Sequence, residues 1–185
     1  ASSTGIGIGA GTGFSSAGQV AIVANNNVAA VVFTQTAMVP SSNGGYDLGT
    51  NALKFGDIYG VSSSARYADL AENYLGDANH EPGTVVVFGG EQEVTITNKK
   101  GDRKIAGVVS EKPAFKMNDD LKGDHVVTIA LQGRVPCKVI GRVEKGDMLV
   151  TSAIPGYAIV DNDPKIGTVI GKAVANKDTD DRGTV

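Results

Sequence analysis

Through its first sixty residues the chain carries only three charged side chains, Asp47, Lys54 and Asp57. All the rest of its 17 basic and 20 acidic residues lie in the 125 that follow. No other feature constrains the fold as strongly, because it divides the chain into two materials. The first is rich in Gly, Ser, Asn and Ala and poor in large side chains, too poor to bury an ordinary monomeric core. Short apolar strands with open edges also aggregate when left alone. Intertwining with identical copies answers both problems, so residues 1–60 are expected to form a fibrous β segment in a homotrimer.

Inside that segment the runs Gln19–Ala24 and Val28–Thr34 are β-prone and are separated by Asn25-Asn26-Asn27, which turns readily. A hairpin is expected there, with Pro40 and SSNGGYD ending its second strand. The opening GIGIGAGTGFSSAG is glycine-rich without being a phosphate cradle. It has no Lys-Ser or Lys-Thr, no G-x-G-x-x-G spacing and no preceding strand, so it reads as a tightly turned strand pair. Elsewhere, exclusions dominate. A net charge of -3 and a pI near 5.3 give no footprint for nucleic acid or for an anionic membrane. No apolar run approaches the roughly 18 residues that insert in a bilayer. One cysteine, Cys137, precludes an intramolecular disulfide and any multi-cysteine metal site. Residues 1–30 show no secretory pattern, and a first residue of Ala reads as a fragment or processed product of something longer.

Between the two materials lies YDLGTNALKFGDIYG, with Leu48, Phe55 and Ile58 as apolar anchors among glycines that permit bends. It continues into VSSSARYADLAENYLGD. Ser63 or Ser64 can cap a helix there and Gly76-Asp77 can end it, while Ala65, Ala68, Ala71 and Leu75 fall at helical spacing. Tyr67, Leu70 and Tyr74 widen the same face. A linking helix over 61–76 is the expectation, and those three residues join the anchors as trimer or rod contacts.

The charged part, 77–185, holds an internal similarity. EPGTVVVFGG from Glu81 matches EKGDMLVTSA from Glu144, and IAGVVSE from Ile105 matches VIGKAVA from Val169. Repeats near 81–111 and 144–175 are read from these matches, each as turn, strand, hairpin and strand. Between them, HVVTIALQGRVPCKVIG puts Val127, Ile129, Leu131, Val135, Cys137 and Val139 on one row of a period-two pattern. Gly133 is expected to bend this long run and Pro136 to sit at an edge or bulge. The fold class is therefore mainly β: an intertwined trimeric rod, a short helix, and an antiparallel β-sandwich or barrel head of roughly eight strands.

Two resemblances bear on function. Tyr46-Asp47-Leu48-Gly49, then Lys54-Phe55, then Ile58-Tyr59 resembles a segment of tail-fibre and appendage proteins of tailed bacteriophages, where it precedes a C-terminal head. The ordered set ARYADLAENY, EPGTVVVFGG, RKIAGVVSEKP, LQGRVPCKV, EKGDMLVTSAIPGYA and GTVIGKAV resembles a β-rich C-terminal module of phage appendages and some bacterial surface proteins. That module is related to the self-cleaving chaperone domain of phage neck appendages. The resemblance implies a virion structural protein that assembles as a homotrimer with other tail proteins and attaches to a host-surface glycan or protein receptor. Its alternatives are a single-turnover self-cleaving chaperone for trimerisation and a bacterial surface adhesin module.

Self-cleavage would need a nucleophile with a base in reach. Ser62, Ser63 and Ser64, with Asp69 and Glu72 on the expected helix, are the candidates; the plainer reading is a helix cap followed by solvated charges. His80 and His125 stand outside any metal-binding pattern, so neither a metal nor a cofactor is expected. Cys137 falls in the apolar row, as an inert buried thiol would. The acidic stretches Asn118-Asp119-Asp120 and Asp178 to Asp181 depart from the EF-hand template and read as solvated loops. With no Trp and few aromatics, no stacking platform for a glycan stands out.

Overall fold

Runs of Val, Ile and Ala bounded by Gly, Asn and Asp favour pleated, half-buried strands over helices. The computed structural model describes residues 20–24, 28–33, 36–40, 42–44, 47–50 and 52–185, the first two runs by backbone alone. Among these residues there is no α-helix and there are fourteen strands. The opening glycine-rich stretch lies outside them. The chain divides into two units, Ala1–Ser62 and Ser63–Val185.

In the first unit β1 (Val20–Ala24), β2 (Val28–Phe33) and β3 (Met38–Pro40) form one antiparallel sheet in that order. Val20 pairs with Phe33 and Ala24 with Val28, so the hairpin read from the two β-prone runs is present, with a bulge between Ile22 and Val23. Pro40 does not end the second strand. It ends a third, which pairs Val31 with Pro40 and Phe33 with Met38 at the sheet edge, where a missing N–H costs no ladder bond.

The second unit holds two mixed sheets. One has six strands in the order β6-β5-β7-β9-β4-β8: β4 (Asp69–Leu75), β5 (Val85–Phe88), β6 (Val94–Thr95), β7 (Ile105–Val109), β8 (Phe115–Met117) and β9 (Val126–Gly133). The other has five in the order β13-β11-β12-β10-β14: β10 (Lys138–Ile140), β11 (Met148–Thr151), β12 (Ala158–Val160), β13 (Val169–Lys172) and β14 (Arg182–Thr184). The wholly antiparallel head is corrected here. β4 pairs with β8 and β10 with β12 in parallel, each across a long connection that returns the chain in the same direction.

The linking helix is the second correction. Its C-terminal half is β4, and the rest lies outside any regular element. The small residues that mimic a helical face also fit a strand, and a free helix of about twelve residues is marginal in water. Tertiary pairing decides the matter: β4 pairs with β9 from Asp69↔Gly133 to Leu75↔Val126 and with β8 on its other side. Asp69, Ala71 and Asn73 point inward and are buried. Glu72 and Tyr74 alternate with them at half-buried positions.

Alternation along β5 and β7 feeds two cores. Val85, Val108, Cys137, Val139, Val143, Leu149, Ala158 and Ala173 pack together from both sheets. On the opposite face of the six-stranded sheet, Val86, Val94, Val109, Val127 and Ile129 form a second cluster flanked by Tyr74 and Ala106. The Val127–Val139 row is interrupted where Gly133 ends β9 at φ +113. A Cβ there would lie 2.0 Å from the Ala68 carbonyl oxygen, so only glycine lets β9 close on β4.

Strand pairing repeats within this unit. Val85↔Val108, Val86↔Gly107 and Val87↔Ile105 join β5 to β7, with a bulge between Val86 and Val87. Met148↔Lys172, Leu149↔Gly171 and Val150↔Val169 join β11 to β13, with a bulge between Leu149 and Val150. Phe88↔Val94 and Thr151↔Ala158 match in the same way. The entry turns agree too: Gly83 N–H donates to Val109 O and Gly146 N–H to Ala173 O, both at 2.8 Å.

Candidate functional site

A serine nucleophile in front of β4 would need Asp69 or Glu72 within hydrogen-bond reach. Ser62, Ser63 and Ser64 are exposed and lie outside regular structure, and both carboxylates are engaged elsewhere. The Ser110 hydroxyl donates to Asp69 Oδ2 at 2.5 Å, with both side chains buried. The Tyr74 hydroxyl donates to Glu72 Oε2 at 2.9 Å, and burial followed by the Glu72 carboxylate holds it above its ordinary 10.0. Ser110 stands in an unremarkable VVSEKP stretch that carries no sequence signal for this role; only the connection running from β7 to β8 brings it to Asp69. The Asp69 carbonyl also accepts from Ala114 N–H, so this aspartate ties three segments together. Asn73 does similar work. It accepts from the Thr128 hydroxyl at 2.6 Å and exchanges side-chain-to-carbonyl bonds with Asn118, which is held at φ +54.

Asp77 Oδ1 accepts the N–H groups of Glu91 and Gln92 at 3.0 and 2.7 Å, and the Gln92 bond leads in holding its carboxyl below the usual range. Nearby, His80 Nε2 and His125 Nδ1 are buried without a hydrogen-bond partner. Burial lowers the His80 imidazole; Asp77 opposes this, while His125 and Lys138 reinforce it. Among the described residues no three His, Cys, Asp or Glu side chains gather as metal ligands. Cys137 is buried, and burial pushes its thiol up to about 12, which keeps it protonated near neutrality.

The Asp178–Asp181 loop encloses a cation of its own. Lys177 Nζ donates to the carbonyls of Gly141, Thr179 and Asp181 and to Asp181 Oδ1, at 2.7 to 3.2 Å. The Thr179 hydroxyl completes the ring by donating to Asp181. Of the acidic side chains in the loop, Asp181 thus faces the Lys177 ammonium and Asp180 faces Arg142.

Two surfaces remain. Leu53, Ile58 and Tyr59 are 78%, 77% and 92% exposed, and Leu48, Phe55, Val61 and Tyr67 are also uncovered. Leu70 and Tyr74, expected beside them as anchors, are instead half-buried on β4, and Tyr74 meets Phe88 edge-on at 5.9 Å. The turn ahead of Phe55 is locally closed, Thr50 N–H donating to Leu53 O and Leu53 N–H to Thr50 Oγ1. The second surface is a groove of about 470 Å³ between β9 and β13, with Val135, Cys137 and Leu149 in its lining. Neither surface has the convergent polar groups of a catalytic pocket. No protein-family model, curated protein or solved structure matches this chain.

Proposed function

We propose that this chain is the C-terminal part of a homotrimeric bacteriophage tail fibre or appendage, a virion structural protein that builds the fibre and presents its end to the host surface. The observation that carries the reading is the apolar stretch from Leu48 to Val61, bare in a single chain. A run of large exposed apolar side chains marks a contact surface, and identical copies are the partners a fibre supplies. The head is proposed to have arisen by internal duplication. The shared registers, bulges and turn bonds of β5–β6–β7 and β11–β12–β13 support that origin.

Sedimentation equilibrium at micromolar concentration, with negative-stain micrographs of the same sample, tests the reading. A mass three times that of the chain and a rod ending in a knob are expected. A monomer would overturn it. Self-processing is a separate question, decided by intact mass over several days: a new species beginning near Ser62–Ser64 would replace the structural role with the chaperone one.

A further inference from the structure

Among the described residues, β13 is the edge strand of its sheet, and its outer side pairs with no other strand. Facing it, β9 is paired with β4 through Gly133, but with β7 only at Val108↔Ala130 and Val109↔Ile129. Leu131, Gln132 and Gly133 therefore present a second open backbone edge toward β7 and the groove. The apolar lining between these edges includes Leu131 and Val174, 43% and 56% exposed, with Val135 and Ile170 half-buried. Arg134 and Lys172 stand in the same lining, and neither forms an ion pair among the described residues.

An apolar trough between two open backbone edges suits an extended polypeptide better than a compact ligand, because a strand can satisfy both rows of amides while its side chains fill the trough. The chain carries such a strand. Phe55-Gly56-Asp57-Ile58-Tyr59-Gly60-Val61 is outside any sheet, and its large side chains are exposed. Its one charge, Asp57, forms no ion pair among the described residues and complements Arg134 and Lys172.

We infer that the β9–β13 groove receives the Phe55–Val61 segment of a second copy of this chain, with Asp57 set against Arg134 and Lys172. The inference rests on the homotrimer proposed above and names the contact that would hold it.

Cysteine pairing in the full-length chain tests this. Two differently tagged chains, one Ile58→Cys and the other Val174→Cys, are co-expressed, purified and oxidised. A disulfide between the tags is expected, with none when Lys112→Cys replaces Val174→Cys; both chains carry Cys137→Ala, because the native thiol lines the same groove. Adding Asp57→Lys should abolish the disulfide, and combining it with Arg134→Glu and Lys172→Glu should restore it. An oligomer that forms no such disulfide overturns the groove contact and leaves the trimer reading standing. A wild-type chain that sediments as a monomer overturns both. If one chain bearing both cysteines closes on itself while co-expressed chains do not, the occupant is not a second copy and the inference fails.

Discussion

Lys177 shows how one residue can organise a loop. Its ammonium satisfies three carbonyls and a carboxylate, and the backbone of Gly183 passes so close that a Cβ there would lie 2.3 Å from Lys177 Cε. Replacing Lys177 with Met strands those acceptors, so stability is expected to fall by on the order of 2 kcal/mol, read from urea unfolding. Burial acts differently on His80. The folded imidazole binds its proton less readily than the unfolded one. As pH falls from the ordinary 6.5 toward the folded value, the unfolded state takes up more protons and stability drops. The depressed carboxylates of Asp77, Asp102, Asp147 and Asp181 act in a lower window. What they contribute is present above their ordinary 3.8 and is lost as pH falls through their folded values. The melting temperature should thus begin to fall below about pH 6.5, and His80→Gln should flatten that upper part of the profile while leaving the acid limb in place.

At the scale of elements, β4 is the most informative. Two of its three inward positions are polar, Asp69 and Asn73, which is tolerable only because neighbouring segments supply partners. Ser110→Ala removes one such partner from a buried carboxylate and should cost about 1 to 3 kcal/mol. Ser63→Ala, on an exposed residue, should stay within about 0.5 kcal/mol. Equal effects would mean that the Asp69–Ser110 bond contributes nothing. β4 also shows why helical spacing misled: with Ala and Leu at intervals of three and four, the same letters serve either period. The choice falls to whichever element offers a ladder, and β8 and β9 flank β4 on both sides. Gly133 then stops β9, and the apolar row stops being buried at Leu131. That local failure of alternation opens the groove.

For the whole molecule, both hydrophobic clusters among the described residues draw on residues from Tyr74 onward, so the second unit holds its own interior. A chain trimmed to Ser63–Val185 is expected to unfold cooperatively near the full-length midpoint and to sediment as a monomer, since the proposed docking segment is gone. An unfolded fragment would show that the two units are not independent. A trimeric fragment would shift assembly from the Phe55–Val61 segment to the head.

The distribution of charge, the β-prone runs and the turn glycines were enough to establish from sequence that this chain is mainly β, because those properties are local and need no partner to be read. The matches at Glu81 and Glu144 foretold turns that do form, with the same hydrogen bonds. Tertiary structure alone decided the parallel pairs, the conversion of the expected helix into β4, and the placing of Ser110 on Asp69. Each depends on segments some forty or more residues apart meeting in space, or on a crossover returning the chain beside an earlier strand. Such contacts leave no periodic trace in the letters, since the free energy that selects them resides in the pairing and not in either segment by itself.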